Sequence, residues 1–518
     1  MSAAESSSLP ESLYAADGVQ ALDRCAIEEF GVPGFELMQR AARSGFRQLM
    51  RHWPDAKSVL VLCGAGNNGG DGYLVASAAC RQALQVRCLA IADPGKLKGD
   101  ALKAHDAARD TGLHVEAFEA LGEGELENAL SEADVVVDAM LGTGITGALR
   151  SPFDQVVARL NASGCPVLSI DVPSGLNAST GWIESDAVKA GATVTFIGLK
   201  AGLMTGKGPD VAGDVLFDDL GVPEDIYQRV DPVAGRVDWN RVAPNLPLRR
   251  RGAHKGDCGH LLVVAGERGF GGAALLAAEA AARTGAGLVT LATRPEHVSP
   301  ALVRCPSLLV HGLTHGNELD ALLEAADGVV FGPGAGQGAW GQQMLQRIMA
   351  FDGPVLMDAD GLNMLSSRAP GVHSNWILTP HPGEAARLLG VENKVVNSDR
   401  LEAVRQLQQR YGGVILLKGA GTLVYADDMI APVVVQGGNP GMAAGGMGDV
   451  LSGIIGALAV QGLVPSQAAV IGASLHAEAA DRAALDKGFM GLLPMDVTDR
   501  VPQVLGEAEG VLIPLGFR

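Results

Sequence analysis

The sequence has few aromatic residues, no paired cysteines and no long uninterrupted apolar segment. Aromatic residues make up 4% of its 518 residues, and the seven cysteines are scattered without a CxxC pair. We therefore expect reduced thiols, and neither a zinc site nor a disulfide framework. Gly, Pro or charged residues interrupt every apolar run before it is long enough to span a bilayer. The N-terminus has no basic segment followed by an apolar one, so we expect no secretory signal and a cytoplasmic protein.

Positive charge is also scarce, because 40 Lys and Arg face 58 Asp and Glu for a formal net charge of −18. General binding to nucleic acid needs concentrated Lys and Arg, so nucleic acid is not an expected partner, and neither is a membrane. A small anionic ligand stays open, because backbone amides at helix N-termini bind anions without basic side chains.

Buried strands and glycine-rich turns are abundant, with 69 glycines and 47% hydrophobic residues. Continuous apolar runs alternate with helical stretches, as in the parallel sheets of α/β proteins. The runs in the first half are 58–63, 86–91, 134–140, 166–171 and 193–198, and those in the second half are 260–266, 287–293, 328–334, 354–360 and 413–419. The predicted fold class is α/β.

The length is too great for one ordinary core, so two domains are expected. We predict a first domain at 1–227 and a second at 252–518, with no visible repeat of one in the other. Residues 228–251, which combine Pro, alternating charge and no periodicity, are predicted as a linker. Self-association to a homo-oligomer is expected, although no heptad or edge-strand pattern indicates a surface.

The first chemical motif is GAGNNGGDG at 64–72, between a strand and a helical stretch. Its glycines allow backbone amides to approach an anion, which the helix dipole also favours. Asn67, Asn68 and Asp71 are the only side chains there suited to specific polar contacts. An ordinary Asn-Gly turn is the alternative, but so dense a motif favours a function.

Two further turns follow predicted strands, DAMLGTGITG at 138–147 and DVPSGLN at 171–177. Each alone would equally suit a helix cap or a turn. In a parallel sheet, however, all three loops leave the same carboxyl edge, so their polar groups can converge. Oxygen atoms of Asn68, Asp138 and Ser174 would then suit a hard cation.

These motifs resemble the NAD(P)H-hydrate epimerase domain, and so do the flanking segments at 23–42 and 196–215. The resemblance implies a Rossmann-like three-layer α/β/α sandwich. It implies substrate binding by Asn67, Asn68, Gly69, Gly70, Asp71, Gly142, Thr143, Gly144, Ile145, Thr146, Gly147, Ala148 and Asp171. It also implies K⁺ binding by Asn68, Asp138 and Ser174. Asp171 is the preferred acid or base, because a carboxylate at a strand end is rigidly placed. Phe153 stands where many members have Tyr.

The second motif is GNPGMAAGGMGDVLSG at 438–453, where a glycine-rich loop leads through Asp449 into an apolar helical run. The loop and helix N-terminus suit an anion, and phosphate would repel a carboxylate there. A base that takes a proton from a hydroxyl attacking phosphorus explains its presence. An N-cap Asp is the alternative.

Together with the motifs at 252–266, 332–336, 355–363, 377–389 and 416–424, this loop resembles the ribokinase-like ADP/ATP-dependent NAD(P)H-hydrate dehydratase. The resemblance implies that Ala253, Gly334, His381 and Asp449 bind the hydrated nicotinamide nucleotide. It implies that Lys418, Gly419, Ala420, Gly421, Thr422 and Gly448 bind ADP or AMP. Glu384 is expected to hold Mg²⁺ through water. Met447 replaces a Ser of many members, which leaves the backbone amide in place.

The two resemblances imply repair of hydrated NADH and NADPH (NADHX and NADPHX). The first domain would interconvert the R and S forms at C6, by ring opening or by proton exchange. The second would dehydrate the S form while ADP is consumed to AMP and phosphate, with ADP against ATP left open. Three alternatives remain. A vitamin or sugar kinase would explain the second domain but not the first, and a non-catalytic nucleotide-binding regulator would explain the glycine-rich loops. A structural scaffold would explain neither the domains nor the loops.

Overall fold

The computed structural model describes residues 9–510. Residues 1–8 and 511–518, which the predicted domains and the search for a signal segment include, lie outside the described residues. The chain divides into two compact units, Met1–Gly235 and Arg236–Arg518. None of the helices among residues 9–510 combines the length and apolar character needed to cross a membrane.

The first unit is built around a seven-stranded sheet in which all neighbouring strands are parallel. The strands of the unit are β1 (Ser12–Tyr14), β2 (Ser58–Cys63), β3 (Gln85–Ala90), β4 (Val115–Ala117), β5 (Val135–Ala139), β6 (Val167–Ile170), β7 (Ala192–Phe196), β8 (Leu199–Lys200) and β9 (Asp214–Asp218). Strands β1 and β8 pair with each other and are not part of the seven-stranded sheet. Its α-helices are α1 (Ala16–Glu28), α2 (Gly34–His52), α3 (Asn67–Arg81), α4 (Gly99–Asp110), α5 (Glu125–Glu132), α6 (Phe153–Ser163), α7 (Ala201–Met204) and α8 (Gly208–Val211). The order β4-β3-β2-β5-β6-β7-β9 reverses direction between β2 and β5, which is where such sheets bind ligands.

Strand β2 shows why these strands are apolar without alternation. Val59 and Val61 contribute to one core cluster together with residues of α1 to α4, whereas Leu60 and Leu62 join residues of α5 and α6 in another. Successive side chains of a strand point to opposite faces, so helices on both faces require apolar residues at every position. This arrangement fixes the loop after β2 at the switch point.

The second unit repeats this architecture with its own strand order. Its strands are β11 (His260–Val264), β12 (Leu288–Thr293), β13 (Leu309–Gly312), β14 (Gly328–Phe331), β15 (Val355–Met357), β16 (Trp376–Leu378), β17 (Val414–Leu417), β18 (Thr422–Ala426) and β19 (Val433–Val435), after β10 (Ala234–Val237) at the division between the units. Its α-helices are α9 (Trp239–Val242), α10 (Gly271–Arg283), α11 (Val298–Arg304), α12 (Asp320–Glu324), α13 (Ala339–Ile348), α14 (Asp360–Ser366), α15 (Pro382–Leu389), α16 (Asn393–Ser398), α17 (Arg400–Tyr411), α18 (Met447–Val460), α19 (Pro465–Lys487) and α20 (Pro494–Ala508). Strands β13-β12-β11-β14-β15-β16-β17 are parallel, and β18 and β19 continue the sheet antiparallel.

Segment 228–251, which the sequence predicts as a linker, includes the division between the two units. It contains β10 and α9, and the side chains of Trp239, Val242 and Leu246 are buried in the core of the second unit. These three apolar residues stand at helical spacing but among Pro and charged residues, and each fills a position in the core. The part of the segment from Arg236 onward therefore belongs to the second unit.

The predicted fold class is confirmed. All ten apolar runs form strands, namely β2, β3, β5, β6, β7, β11, β12, β14, β15 and β17. Three of the strands that the pattern missed, β4, β9 and β13, lie at sheet edges. Edge strands bury less surface, so their sequences carry a weaker apolar signal.

Candidate functional site

A cavity of about 980 Å³ lies at the carboxyl edge of the sheet in the first unit. The residues predicted to bind substrate that line it are Asn67, Asn68, Asp71, Gly142, Thr143, Gly144, Ile145, Thr146, Ala148 and Asp171. Gly69, Gly70 and Gly147 are not among its lining residues, whereas Phe153 is. The structure therefore brings the three predicted loops together around one space.

Gly69 and Gly70 are glycines for a reason other than anion binding. They lie in the first turn of α3, where a Cβ on Gly69 would come within 2.0 Å of the Gly64 carbonyl oxygen. A Cβ on Gly70 would meet the Met38 sulfur at 2.7 Å. Side chains at both positions would push α3 away from its neighbours, so these glycines set the position of the helix N-terminus.

The three predicted K⁺ ligands form a connected buried group. The Asp138 carboxylate accepts hydrogen bonds from the Ser174 hydroxyl at 2.6 Å and from the Ser174 amide at 2.9 Å. The Asn68 Nδ2 donates to the Leu141 carbonyl at 3.0 Å, and the Leu141 amide donates to the Ser174 hydroxyl at 2.9 Å. The Asn68 Oδ1 is buried and has no hydrogen-bond partner. An unpartnered amide oxygen beside a buried carboxylate suits a hard cation.

Asp171 lies at the end of β6 in a left-handed backbone conformation with φ of 68°. Its carboxylate accepts a hydrogen bond from the ammonium of Lys200, a side chain that is 1% exposed. The same ammonium donates to the Phe196 carbonyl at 2.9 Å. Non-glycine residues adopt this conformation at a cost in energy, and such residues cluster at functional sites. The strand end and the lysine therefore hold the Asp171 carboxylate in one orientation.

Two more carboxylates face the same cavity. The pKa of Asp23 is raised to about 6, mainly by burial, with Lys200 lowering it and Asp171 raising it. Burial also raises the pKa of Asp71 well above its ordinary value, with smaller contributions from Asp171 and Asp23. Sequence reasoning missed Asp23 and Lys200. The sequence offered a signal for Lys200, because it is the only charged residue in the stretch 193–204.

In the second unit, Asp449 lies in the first turn of α18 and is partly buried. Its pKa is raised to about 7, mainly by burial, with Asp358 raising it and Lys418 lowering it. The Lys418 ammonium is 2.7 Å from the Asp358 carboxylate, which also accepts a hydrogen bond from Ser452 at 2.8 Å. A Cβ on Gly448 would lie 3.3 Å from the Lys418 ammonium, so the predicted anion loop adjoins this ion pair.

His381 and Glu384 cap the N-terminus of α15 together. The His381 Nδ1 accepts a hydrogen bond from the Gly383 amide at 3.0 Å, and the Glu384 carboxylate accepts one from the His381 amide at 2.8 Å. The carboxylate of Glu384 is also 3.9 Å from the Lys418 ammonium. Glu384 thereby joins His381 to the ion pair beside Asp449. Among residues 9–510, no group of three or more His, Cys, Asp and Glu side chains is arranged to hold a metal ion.

The predicted nucleotide-binding residues Lys418 to Thr422 form the turn between β17 and β18. Gly419 and Gly421 adopt φ angles of 136° and 61°, which favour glycine. The buried Arg400 side chain lies beneath this turn and donates hydrogen bonds to its carbonyls. Sequence reasoning missed Arg400, because its partners lie some twenty residues further along the chain.

The remaining predicted residues lie in other loops of the second unit. Ala253 is exposed, and its amide donates to the Arg250 carbonyl at 3.0 Å. Gly334 follows β14 with φ of 54°, and its carbonyl accepts a hydrogen bond from the Glu267 amide at 2.7 Å. Met447 is buried in the core of the unit, so this replacement for Ser packs inward.

Two family models match the chain. Residues 34–202 match the YjeF-related protein N-terminus, and residues 261–503 match NAD(P)H-hydrate dehydratase. The bifunctional NAD(P)H-hydrate repair enzyme Nnr of Coxiella burnetii is 44% identical over 94% of this chain and 97% of its own length. That of Escherichia coli is 42% identical over 96% of this chain and 95% of its own.

The chain belongs to the family of bifunctional NAD(P)H-hydrate repair enzymes. The family and the enzyme class predicted from the motifs are thereby confirmed. Among solved structures, the ADP/ATP-dependent NAD(P)H-hydrate dehydratase of Bacillus subtilis, co-crystallised with ATP and Mg²⁺, is 28% identical. It covers 52% of this chain and 96% of its own, with a TM-score of 0.47.

Proposed function

We propose that this chain repairs NADHX and NADPHX, with a different reaction in each domain. The domain predicted at 1–227 interconverts the R and S forms at C6. The domain predicted at 252–518 dehydrates the S form and converts ADP to AMP and phosphate. The observation that carries the proposal is the placement of Asp449, a carboxylate with a pKa of about 7 at a glycine-rich helix N-terminus beside Lys418.

The second reaction needs phosphorylation because hydroxide is a poor leaving group. Asp449 takes the proton from the C6 hydroxyl as its oxygen attacks the terminal phosphorus of ADP, which forms the phosphate ester and releases AMP. The nitrogen lone pair of the ring then expels phosphate from C6, and loss of a proton from C5 forms the C5–C6 double bond of the reduced nicotinamide. Backbone amides at Gly448 and the charge of Lys418 stabilise negative charge on the phosphoryl oxygens.

In the proposed assignment, Lys418, Gly419, Ala420, Gly421, Thr422 and Gly448 hold ADP. Ala253, Gly334, His381 and Asp449 hold the hydrated ring and its ribose. Mg²⁺ would be held through water by Glu384, whose Oε2 already has the His381 amide and the Lys418 ammonium as neighbours. The cation would neutralise charge on the phosphates.

The first reaction centres on Asp171 in this proposal. Residues 67–71 and 142–148 grip the phosphates and ribose, and Asp171 contacts the damaged ring. Lys200 orients the Asp171 carboxylate, so the carboxylate meets the proton of the C6 hydroxyl or the proton on C6 in one geometry. Ring opening and proton exchange at C6 both need such a group.

Potassium is the ion that we propose for Asn68, Asp138 and Ser174. It would neutralise a carboxylate that is fully buried and occupy the neighbourhood of the unpartnered Asn68 Oδ1. These three residues join the loops after β2, β5 and β6, so the ion would fix their spacing. We further infer a cytoplasmic homo-oligomer without nucleic-acid or membrane partners. The free thiols of all seven cysteines and the net charge of −18 support the location and the lack of nucleic acid.

Regeneration of reduced nicotinamide tests the whole proposal. A mixture of R and S NADHX with ADP is expected to recover its reduced-nicotinamide absorbance completely, with one AMP and one phosphate formed per molecule. Without ADP, the epimers are expected to interconvert with no gain in absorbance. No recovery with either ADP or ATP would show that the proposal is wrong. Transfer of phosphate to a sugar or vitamin, with no recovery of reduced-nicotinamide absorbance from NADHX, would favour the kinase alternative.

The potassium site predicts an effect confined to epimerisation. Replacement of K⁺ by Na⁺ at constant ionic strength is expected to slow interconversion of the epimers and leave dehydration of pure S form unchanged. Asn68→Ala is expected to raise the K⁺ concentration for half-maximal epimerisation roughly tenfold or more, because one oxygen ligand is lost. A K⁺ titration measures both effects, with the exposed Asn128→Ala as control. An unchanged K⁺ requirement in Asn68→Ala would contradict the assignment.

The environment of Asp449 predicts the pH dependence of dehydration. A general base must be ionised, so the rate is expected to rise with pH through about 7. Asp358→Asn removes a negative charge that raises the pKa of Asp449, so the rising limb is expected to move to lower pH. Burial is the larger cause, so the pKa stays above that of an exposed Asp. The profile of kcat against pH measures the shift, with Asp320→Asn as control. A limb that moves to higher pH would contradict the expected sign.

A further inference from the structure

Arg400 is buried beneath the turn that joins β17 to β18. It is the first residue of α17, and its side chain is 3% exposed. Burial lowers its pKa to about 10, so the guanidinium is still charged at neutral pH. A buried cation requires a strong reason for its position, because desolvation of a charge is costly.

The guanidinium binds the backbone at both ends of the turn. Its Nη2 lies 3.2 Å from the Leu417 carbonyl oxygen, 3.2 Å from that of Lys418 and 3.5 Å from that of Gly421. Hydrogen bonds from a charged donor are stronger than those between neutral groups. Arg400 therefore holds the last residue of β17 and the far side of the turn at a fixed separation.

Gly419 lies directly against this clamp. A Cβ at this position would come within 2.9 Å of the Arg400 Nη1, and the residue has a φ of 136°. Both facts require glycine, so the turn and the arginine fit each other closely. Carbonyls that point inward to Arg400 leave the backbone amides of the turn to other partners, and the turn is exposed at Gly419 and Ala420.

We propose that Arg400 is a positioning residue that presets the turn 418–421 for nucleotide binding. The proposal rests on the assignment of this turn to ADP under the proposed function. A ligand that meets a preformed loop does not lose affinity to ordering it. Arg400 touches the turn from within the unit and is not itself a nucleotide contact.

The proposal separates nucleotide binding from turnover. The Lys418 amide is also held by the Pro380 carbonyl at 2.9 Å, and its ammonium by Asp358 at 2.7 Å. These contacts do not involve Arg400, so Lys418 is expected to keep its place beside Asp449 when the clamp is lost. Loss of preorganisation then raises KM for ADP, while kcat at saturating ADP changes little.

Arg400→Lys and Arg400→Gln in the full chain provide the test. Lysine keeps the charge but lacks the forked donor, so it is expected to restore binding only in part. We expect KM and Kd for ADP to rise roughly 10- to 100-fold in Arg400→Gln, with kcat within about threefold of the parent chain. Gly419→Ala is expected to raise KM in the same way by pressing on the guanidinium.

Arg410 is the matched control, because it lies on the same helix, is exposed and donates to the Leu389 carbonyl outside the turn. Arg410→Lys and Arg410→Gln are expected to leave KM unchanged. Thermal unfolding and the epimerase rate report folding of each variant. A role in stability alone would lower the unfolding temperature and the fraction of active protein but leave KM for ADP as it is.

Two results would overturn the inference. One is a KM for ADP in both Arg400 variants equal to that of the Arg410 variants, and the other is full restoration of KM by Arg400→Lys. Calorimetric titration with ADP distinguishes failure of the inference from failure of the proposed function. If the parent chain binds ADP but dehydrates nothing, the proposed reaction is wrong, and the Kd values of the variants still decide the role of Arg400.

Discussion

Asp449→Asn is expected to lower the rate of dehydration of S-NADHX by about 10²- to 10⁴-fold, the usual contribution of a positioned general base. Asparagine is nearly isosteric and keeps the first turn of α18 intact. It cannot accept the proton of the C6 hydroxyl, so attack on the phosphorus slows. KM for ADP is expected to change little, because the amides and Lys418 that hold the nucleotide are unaltered. Single-turnover measurement with saturating ADP isolates this step.

The epimerase rate of the same chain is an internal control for Asp449→Asn, because the first reaction is assigned to the other unit. Asp320→Asn, a change at the start of α12 in a half-exposed side chain that pairs with Arg347, controls for loss of a carboxylate from the second unit. Undiminished dehydration in Asp449→Asn would show that the residue is not the base, as a non-catalytic regulator also requires. A loss of ADP binding with unchanged kcat would assign it to the binding of nucleotide.

Asp171→Asn is expected to slow interconversion of the R and S forms by about a hundredfold or more. The carboxylate is fixed by the end of β6 and by Lys200, so no other group in the cavity occupies its place. Asparagine also leaves the buried Lys200 ammonium without its ion-pair partner, which costs stability as well as activity. Chromatographic separation of the epimers without ADP measures the rate.

Dehydration of purified S form is expected to be normal in Asp171→Asn, which distinguishes loss of the epimerase centre from general misfolding. Asp154→Asn on the exposed side of α6 is the control within the same unit. Retention of epimerisation would remove Asp171 from the chemistry. Asp23, which shares the cavity and has a pKa of about 6, would then be the next carboxylate to replace.

Local patterns were enough to predict ten of the strands between residues 9 and 510 and the loops that follow them. Strand β2 needs apolar residues at all positions, because helices cover both faces of the sheet, and this requirement is visible in six residues of sequence. The common direction of parallel strands then placed the loops after β2, β5 and β6 at one edge. Segment 236–251 could not be assigned in this way, because Trp239, Val242 and Leu246 stand among Pro and charged residues, and their place in the core depends on contacts with distant parts of the second unit.

The ion pairs that hold side chains of the candidate sites in place could not be predicted from local patterns. Lys200 reaches Asp171 across 29 positions of the chain, and Lys418 reaches Asp358 across 60. These pairs depend on which strands are neighbours, a property of the whole sheet. Gly69 illustrates the same limit. The sequence suggests that it is glycine because it belongs to an anion-binding loop, whereas in the structure a side chain at this position would collide with the carbonyl oxygen of Gly64.

Each unit has its own buried core and one of the two proposed centres, yet both lie on one polypeptide. Every molecule synthesised therefore supplies the two centres in equal number, whatever the level of expression. Gene dosage cannot change the capacity of one reaction relative to the other. The balance between accumulation of R form and recovery of reduced cofactor is then set by turnover rates and by the supply of ADP.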